Sequence, residues 1–160
     1  MRRVSVSIVL GLALGAGLAT ASSSEHGEVE ENPMEVRGEF EISMKPAEPG
    51  DETFGDLILD KKYHGALTAV SRGRMLAFRT ETEGSAGYTA MEQVSGTLDG
   101  RKGSFVLLHH GLMKAGTPVE WGVTVVPDSG TEELAGLSGE MQIFPVDGRH
   151  EYVLRYTIEP

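Results

Sequence analysis

From Met34 onward the chain alternates between apolar and polar positions. In 36–44, Val36, Phe40, Ile42 and Met44 share one face, with Gly38 between them. Glu35, Arg37, Glu39, Glu41, Ser43 and Lys45 take the other, which is the signature of a half-buried strand. After a Pro/Gly-marked loop at 46–50, similar segments recur at 56–63, 65–71, 75–81, 87–98, 103–113, 119–127, 136–144 and 149–158. Turn-type sequences separate them: Arg72-Gly73, the glycine-bounded run 84–87, Asp99-Gly100, Ala115-Gly116 and Asp147-Gly148. One helical turn is expected at 131–134, with Ser129 or Thr131 as its cap. No long stripe of period 3.6 occurs in this region. About eight strands joined by short hairpins predict an all-β fold, a single antiparallel eight-stranded barrel, because closure removes the exposed edges of a meander. An open two-sheet sandwich is the alternative.

The first residues follow a different rule. Arg2 and Arg3 precede an apolar run at 4–18 that is short for a membrane span, and Ala19-Thr20-Ala21 supplies a small-x-small cleavage pattern. Residues 1–21 are therefore expected to be a signal peptide, with an uncleaved anchor as the alternative, and the destination is secreted or periplasmic. A lipoprotein is excluded because lipid attachment there needs a cysteine and the chain has none. Residues 22–33 carry Glu25, Glu28, Glu30 and Glu31 and are expected to form a disordered lead-in. The barrel domain then runs over 34–160.

Composition narrows the function. The chain has 14 basic and 24 acidic residues. Removing Arg2 and Arg3 leaves 14 − 2 = 12 basic residues, a net charge of −12 against −10 for the whole chain. That charge repels nucleic acid and anionic lipid, so neither is an expected partner, and no stable membrane insertion is expected after signal cleavage. The 21 glycines are roughly twice the usual share, as a barrel rich in turns and bulges requires. Without cysteine, packing alone must hold the domain in an oxidising compartment.

Several strings resemble a known family. They include Leu59-Asp60-Lys61, His64-Gly65, Gly84-Ser85-Ala86-Gly87-Tyr88, M-E-Q-V-S-G-T-L from Met91 and Gly103-Ser104-Phe105-Val106-Leu107. The block V-V-P-D-S-G-T-E-E-L-A-G-L-S-G-E-M from Val125 fits as well, as do Gly148-Arg149-His150 and Tyr156-Thr157. Together they resemble a bacterial family of unknown function whose members look like allene-oxide-cyclase-type eight-stranded β-barrels. The resemblance implies the barrel over nearly the whole chain after the lead-in. It implies little chemistry, since fold does not fix function. Members of that family often carry glutamine then histidine where this chain has Leu108-His109, so His109 fits the pattern and His110 departs from it.

Candidate chemistry follows from strand parity. In S-F-V-L-L-H-H-G, Phe105, Leu107 and His109 share one face and His110 the other, so the adjacent histidines point apart and do not form a metal pair. No His-x-His spacing exists, and neither a metal nor a cofactor is expected. Glu92 lies on the same face as Tyr88, Ala90, Val94 and Leu98, where a carboxylate must be paired or hydrogen-bonded. Glu92 and His109 are the candidate acid/base couple, with burial expected to move both pKa values toward neutrality. Tyr88, Trp121, Tyr152 and Tyr156 are candidate ligand-binding residues. His64 is expected to point outward, and the segment 128–131 to be a turn capping a strand rather than a phosphate loop. Ser104 and Ser138 lack a nucleophile elbow, and no inward carboxylate pair of glycosidase type is evident. Three functions remain: a barrel binding a small apolar ligand in its interior, an isomerase or cyclase acting on such a ligand, and a structural or homo-oligomeric module with a filled interior.

Overall fold

The computed structural model describes residues 33–48 and 53–159, and in it each strand pairs antiparallel with its chain neighbour until β8 returns to β1. The strands are β1 (Met34–Pro46), β2 (Gly55–Gly65), β3 (Leu67–Arg79), β4 (Ala86–Leu98), β5 (Arg101–Lys114), β6 (Thr117–Val125), β7 (Leu137–Val146) and β8 (Arg149–Ile158). Between β6 and β7 lies a single 3₁₀ turn, Glu132–Leu134. The barrel is the expected one rather than a sandwich. The expected signal peptide and all of the lead-in but Pro33 lie outside the described residues.

Three of the hairpins use the turn chemistry that the sequence spells out. Asp99-Gly100, Ala115-Gly116 and Asp147-Gly148 all have positive φ at both positions, the backbone twist that two-residue hairpins require. Arg72-Gly73 does not behave that way. It was expected to separate two strands, yet 65–71 and 75–81 belong largely to one strand, β3, in which Gly73 stands opposite Glu92 of β4. A Cβ at Gly73 would come within 2.7 Å of the Met91 carbonyl and 3.1 Å of Glu92 Cα. That glycine serves close approach between strands, not a turn. The real reversal is at Gly65, whose φ is 102°, with Ala66 alone linking β2 to β3.

One end of the barrel is plugged. Leu67, Leu98, Phe105, Leu134, Leu137 and Tyr156 are all buried there, and Leu134 comes from the 3₁₀ turn rather than from a strand. Each of the leucines and Phe105 contributes roughly 1.5–3 kcal/mol relative to exposure. Thr131 was a candidate cap for that turn but makes no side-chain cap bond. Its hydroxyl instead accepts from the Ser104 amide at 2.9 Å, while Ser129 Oγ accepts from the Val106 amide at 3.0 Å. The pairing of β5 with β6 begins only at Leu107, so this loop supplies the missing edge partner for the first half of β5. The strand-capping role expected for 128–131 is thus observed.

The opposite end is less complete. Inward positions there, such as Met75, Tyr88 and Ile143, are only half-buried, and Trp121 is 51% exposed. β6 and β7 share a single register pair, Thr124 with Glu140, where the other adjacent strands pair over long ladders.

Candidate functional site

Between the plug and the open end, five polar side chains meet inside the barrel. Alternation delivers each one: Lys61 and Tyr63 from β2, Ser71 from β3, Glu92 from β4 and His109 from β5 all share their strand's inward parity with buried apolar residues. Glu92 is the centre and is fully buried. Its Oε1 accepts hydrogen bonds from Tyr63 Oη at 2.7 Å and Ser71 Oγ at 2.5 Å. Its Oε2 accepts from Lys61 Nζ at 2.7 Å, and His109 Nε2 stands 2.8 Å from the same oxygen. The His109 approach is an electrostatic contact without the alignment of a hydrogen bond. Lys61 Nζ also reaches Tyr63 Oη at 3.3 Å and lies 4.6 Å from the Phe40 ring centroid, a cation–π arrangement.

This crowding decides the electrostatics. Burial is the largest single influence on Glu92 and pushes its carboxyl up, but His109 and Lys61 together outweigh it and hold the pKa at about 2. Because His109 approaches off-line, Lys61 is the firmer anchor. The expectation that burial would carry Glu92 toward neutrality is therefore corrected: its compensating donors win. Desolvation lowers the Lys61 pKa against the opposing pull of Glu92, and it raises the Tyr63 hydroxyl well above its usual range. A carboxylate has about four acceptor positions, and here every one of them faces a donor group or a ring nitrogen.

The structure brings Glu92 and His109 together, but it scatters the four aromatic candidates. Tyr88 and Trp121 lie toward the open end. Tyr152 is core: its Oη accepts from the Leu67 amide at 3.0 Å and donates to the His64 carbonyl at 3.3 Å, and its ring meets Tyr63 edge-on. Tyr156 is buried in the plugged end, its hydroxyl without a hydrogen-bond partner among the described residues. His110 points outward, 3.5 Å from Glu120, and covers Gly122, where a Cβ would meet its ring at 2.6 Å. His64 also points outward, 3.5 Å from Glu41. Ser104 and Ser138 bond Thr131 and Thr157.

Lys61, Tyr63 and Ser71 were not singled out as site residues from the sequence. The signal was present, because Lys61 sits two positions before the inward Tyr63, where parity places it inside. Among the described residues, no three His, Asp or Glu side chains are grouped to hold a metal ion. Among the described residues, neither Glu92 nor His109 lines any of four prominent surface clefts. Between β6 and β7, however, a cleft of about 280 Å³ reaches Val123 and Met141, which line the barrel. Val123 is the register partner of His109.

Residues 36–156 match the family model described as protein of unknown function (DUF3224). This chain belongs to the DUF3224 family. A crystal structure of a DUF3224 protein of unknown function from Shewanella oneidensis MR-1 is similar over 80% of this chain and 99% of that one, at 41% identity and a TM-score of 0.74. No curated protein matches the chain. Neither finding names an allene-oxide cyclase, so the expected likeness to those enzymes is not supported.

Proposed function

We propose that this DUF3224 chain is an exported binding barrel, secreted or periplasmic, that takes a small, largely apolar ligand at its open end. One observation carries the reading: β6 and β7 meet at a single register pair, and the cleft between them reaches the barrel lining. Val123 and Met141 form its apolar depth, Trp121 flanks it, and His110, Glu140 and Gln142 stand at its outer side. At about 280 Å³ it sits near the lower end of the roughly 300–1,000 Å³ common for ligand sites, which favours a small guest. The polar cluster beneath supports this floor. A carboxylate locked by neighbours on three other strands keeps the wall rigid, and rigid walls make precise sites. Export rests on the Arg2–Ala21 pattern.

The isomerase reading finds less support, because a carboxyl held at about 2 is not a proton donor near neutrality and its acceptor positions are taken. Trp121 is the single tryptophan, so it reports on the cleft without labelling. Titration with the neutral apolar dye N-phenyl-1-naphthylamine should quench its emission saturably at one dye per chain. Native mass spectrometry of protein taken from the exported fraction should show an apolar guest on a chain beginning at Ser22. No saturable quenching and no co-purifying mass would end the ligand proposal; a chain still beginning at Met1 would end the export one.

A further inference from the structure

The outer wall formed by β3, β4 and β5 differs from the rest of the surface. Its outward residues run in register rows: Val70, Ser95 and Ser104; Arg72, Gln93 and Val106; Arg74, Met91 and Leu108; Leu76, Thr89 and His110; Phe78, Gly87 and Leu112. None of these is an aspartate or glutamate, although the chain holds 24 of them. The acids begin at the borders, with Asp56 and Asp60 on β2 and Glu120 on β6, whereas β1 alone shows Glu35, Glu39 and Glu41 outward. One of the two arginines on the wall is restrained as well. Arg74 is held in a two-pronged pair with Asp56, while Arg72 stands in register with Asp60, whose carboxylate pairs with Lys45.

In place of acids the wall exposes Val70, Leu76, Phe78, Met91, Leu108 and Leu112, six of the exposed large apolar residues on adjacent strands. Toward the open end it deepens into a groove of about 560 Å³ lined by Phe54, Leu76, Phe78, Leu112 and Met113, with Phe54 and Phe78 in edge contact. Clusters of exposed apolar side chains of this kind commonly mark interaction sites.

We infer that this wall is where a second copy of the chain docks, wall against wall, to form a two-fold dimer. Charge selects the occupant. Two copies each carrying a net charge of −10 repel over most of their surfaces, and this acid-free wall is a face on which they approach without burying carboxylates. Size agrees. Three strands at about 4.8 Å spacing, followed over about nine residues of about 3.3 Å, give a face on the order of 400 Å² before side-chain relief is counted. That relief and the groove bring it toward the roughly 800 Å² per partner of a stable interface. Sheet faces packed this way sit about 10 Å apart and bury the Met91–Leu108 row at the centre. Anionic membranes and nucleic acid are poor alternatives, since the acidic flanks would face them too.

Sedimentation equilibrium on the purified protein tests this. The wild type should have twice the mass of one chain at micromolar concentration. Met91→Glu and Leu108→Glu each place a carboxylate at the centre of the wall, pointing away from the core, and each should weaken association at least 100-fold without changing the circular dichroism spectrum. Val119→Glu and Phe144→Glu alter exposed apolar residues outside the wall and should leave the dimer intact. A wild type that stays monomeric at 100 μM overturns the proposal. So does a dimer that survives both central charges, or one that falls apart equally with the control substitutions.

Discussion

Replacing Glu92 by glutamine keeps the shape of the side chain and removes its charge, which tests how the interior is held. In the wild type, Glu92 is the counterion of Lys61 and the acceptor for Tyr63 and Ser71. The amide leaves the Lys61 ammonium buried without a compensating charge and presents an NH₂ group where one of these donors needs an acceptor. Breaking one partner of a buried pair typically costs about 3–5 kcal/mol. The linkage estimate agrees. A carboxyl lowered from 4.5 to about 2, at about 1.4 kcal/mol per pH unit, contributes about 3 kcal/mol when ionised. The sign follows from the depressed value: the stabilisation is fully present above the unfolded-state pKa near 4.5 and is lost as pH falls toward 2. Urea unfolding followed by Trp121 emission should thus show Glu92→Gln less stable than wild type by about 3 kcal/mol at neutral pH, with the gap falling below half near pH 3. A gap under about 1 kcal/mol at neutral pH, or one that does not change with acid, would refute the reasoning.

Other substitutions probe separate parts of the account. Lys61→Met strands the Glu92 charge and should cost a similar roughly 3–5 kcal/mol. Combined with Glu92→Gln it should cost less than the sum of the two, and a thermodynamic cycle should give a coupling of at least about 1 kcal/mol. Gly73→Ala pushes a Cβ against the Met91 carbonyl and the Glu92 backbone. It should destabilise by about 1–3 kcal/mol in chemical unfolding, although alanine is ordinarily the better strand residue. Ser129→Ala removes the acceptor of the Val106 amide and should cost about 1 kcal/mol. Hydrogen exchange at Val106 should accelerate in that variant while exchange at Leu107 does not.

Strand parity makes most of this legible in the sequence itself. It put Glu92 and His109 on inward faces, turned His110 outward, and marked the Asp-Gly and Ala-Gly hairpins. Three things were hidden, for physical reasons. A glycine reads the same whether it bends the chain or makes room for a neighbour, so Gly73 looked like a turn until Glu92 was seen against it. The balance of forces on Glu92 depends on the distances to Lys61 and His109, and spacing along separate strands does not contain them. Burial alone would have raised the carboxyl, and only the cross-barrel register shows that it is outvoted. The splayed seam between β6 and β7 was likewise invisible, because each strand alternates normally by itself.

The central claim is that Glu92 is a tie within the barrel wall that stays ionised through the neutral and mildly acidic range. A ¹³C-detected pH titration of side-chain carboxyls, with Glu92 assigned by the loss of its signal in Glu92→Gln, tests it most directly. The Glu92 resonance should stay at its ionised position through the neutral and mildly acidic range and titrate at about 2. A midpoint in the neutral range would contradict it and return Glu92 and His109 to the role of an acid/base pair.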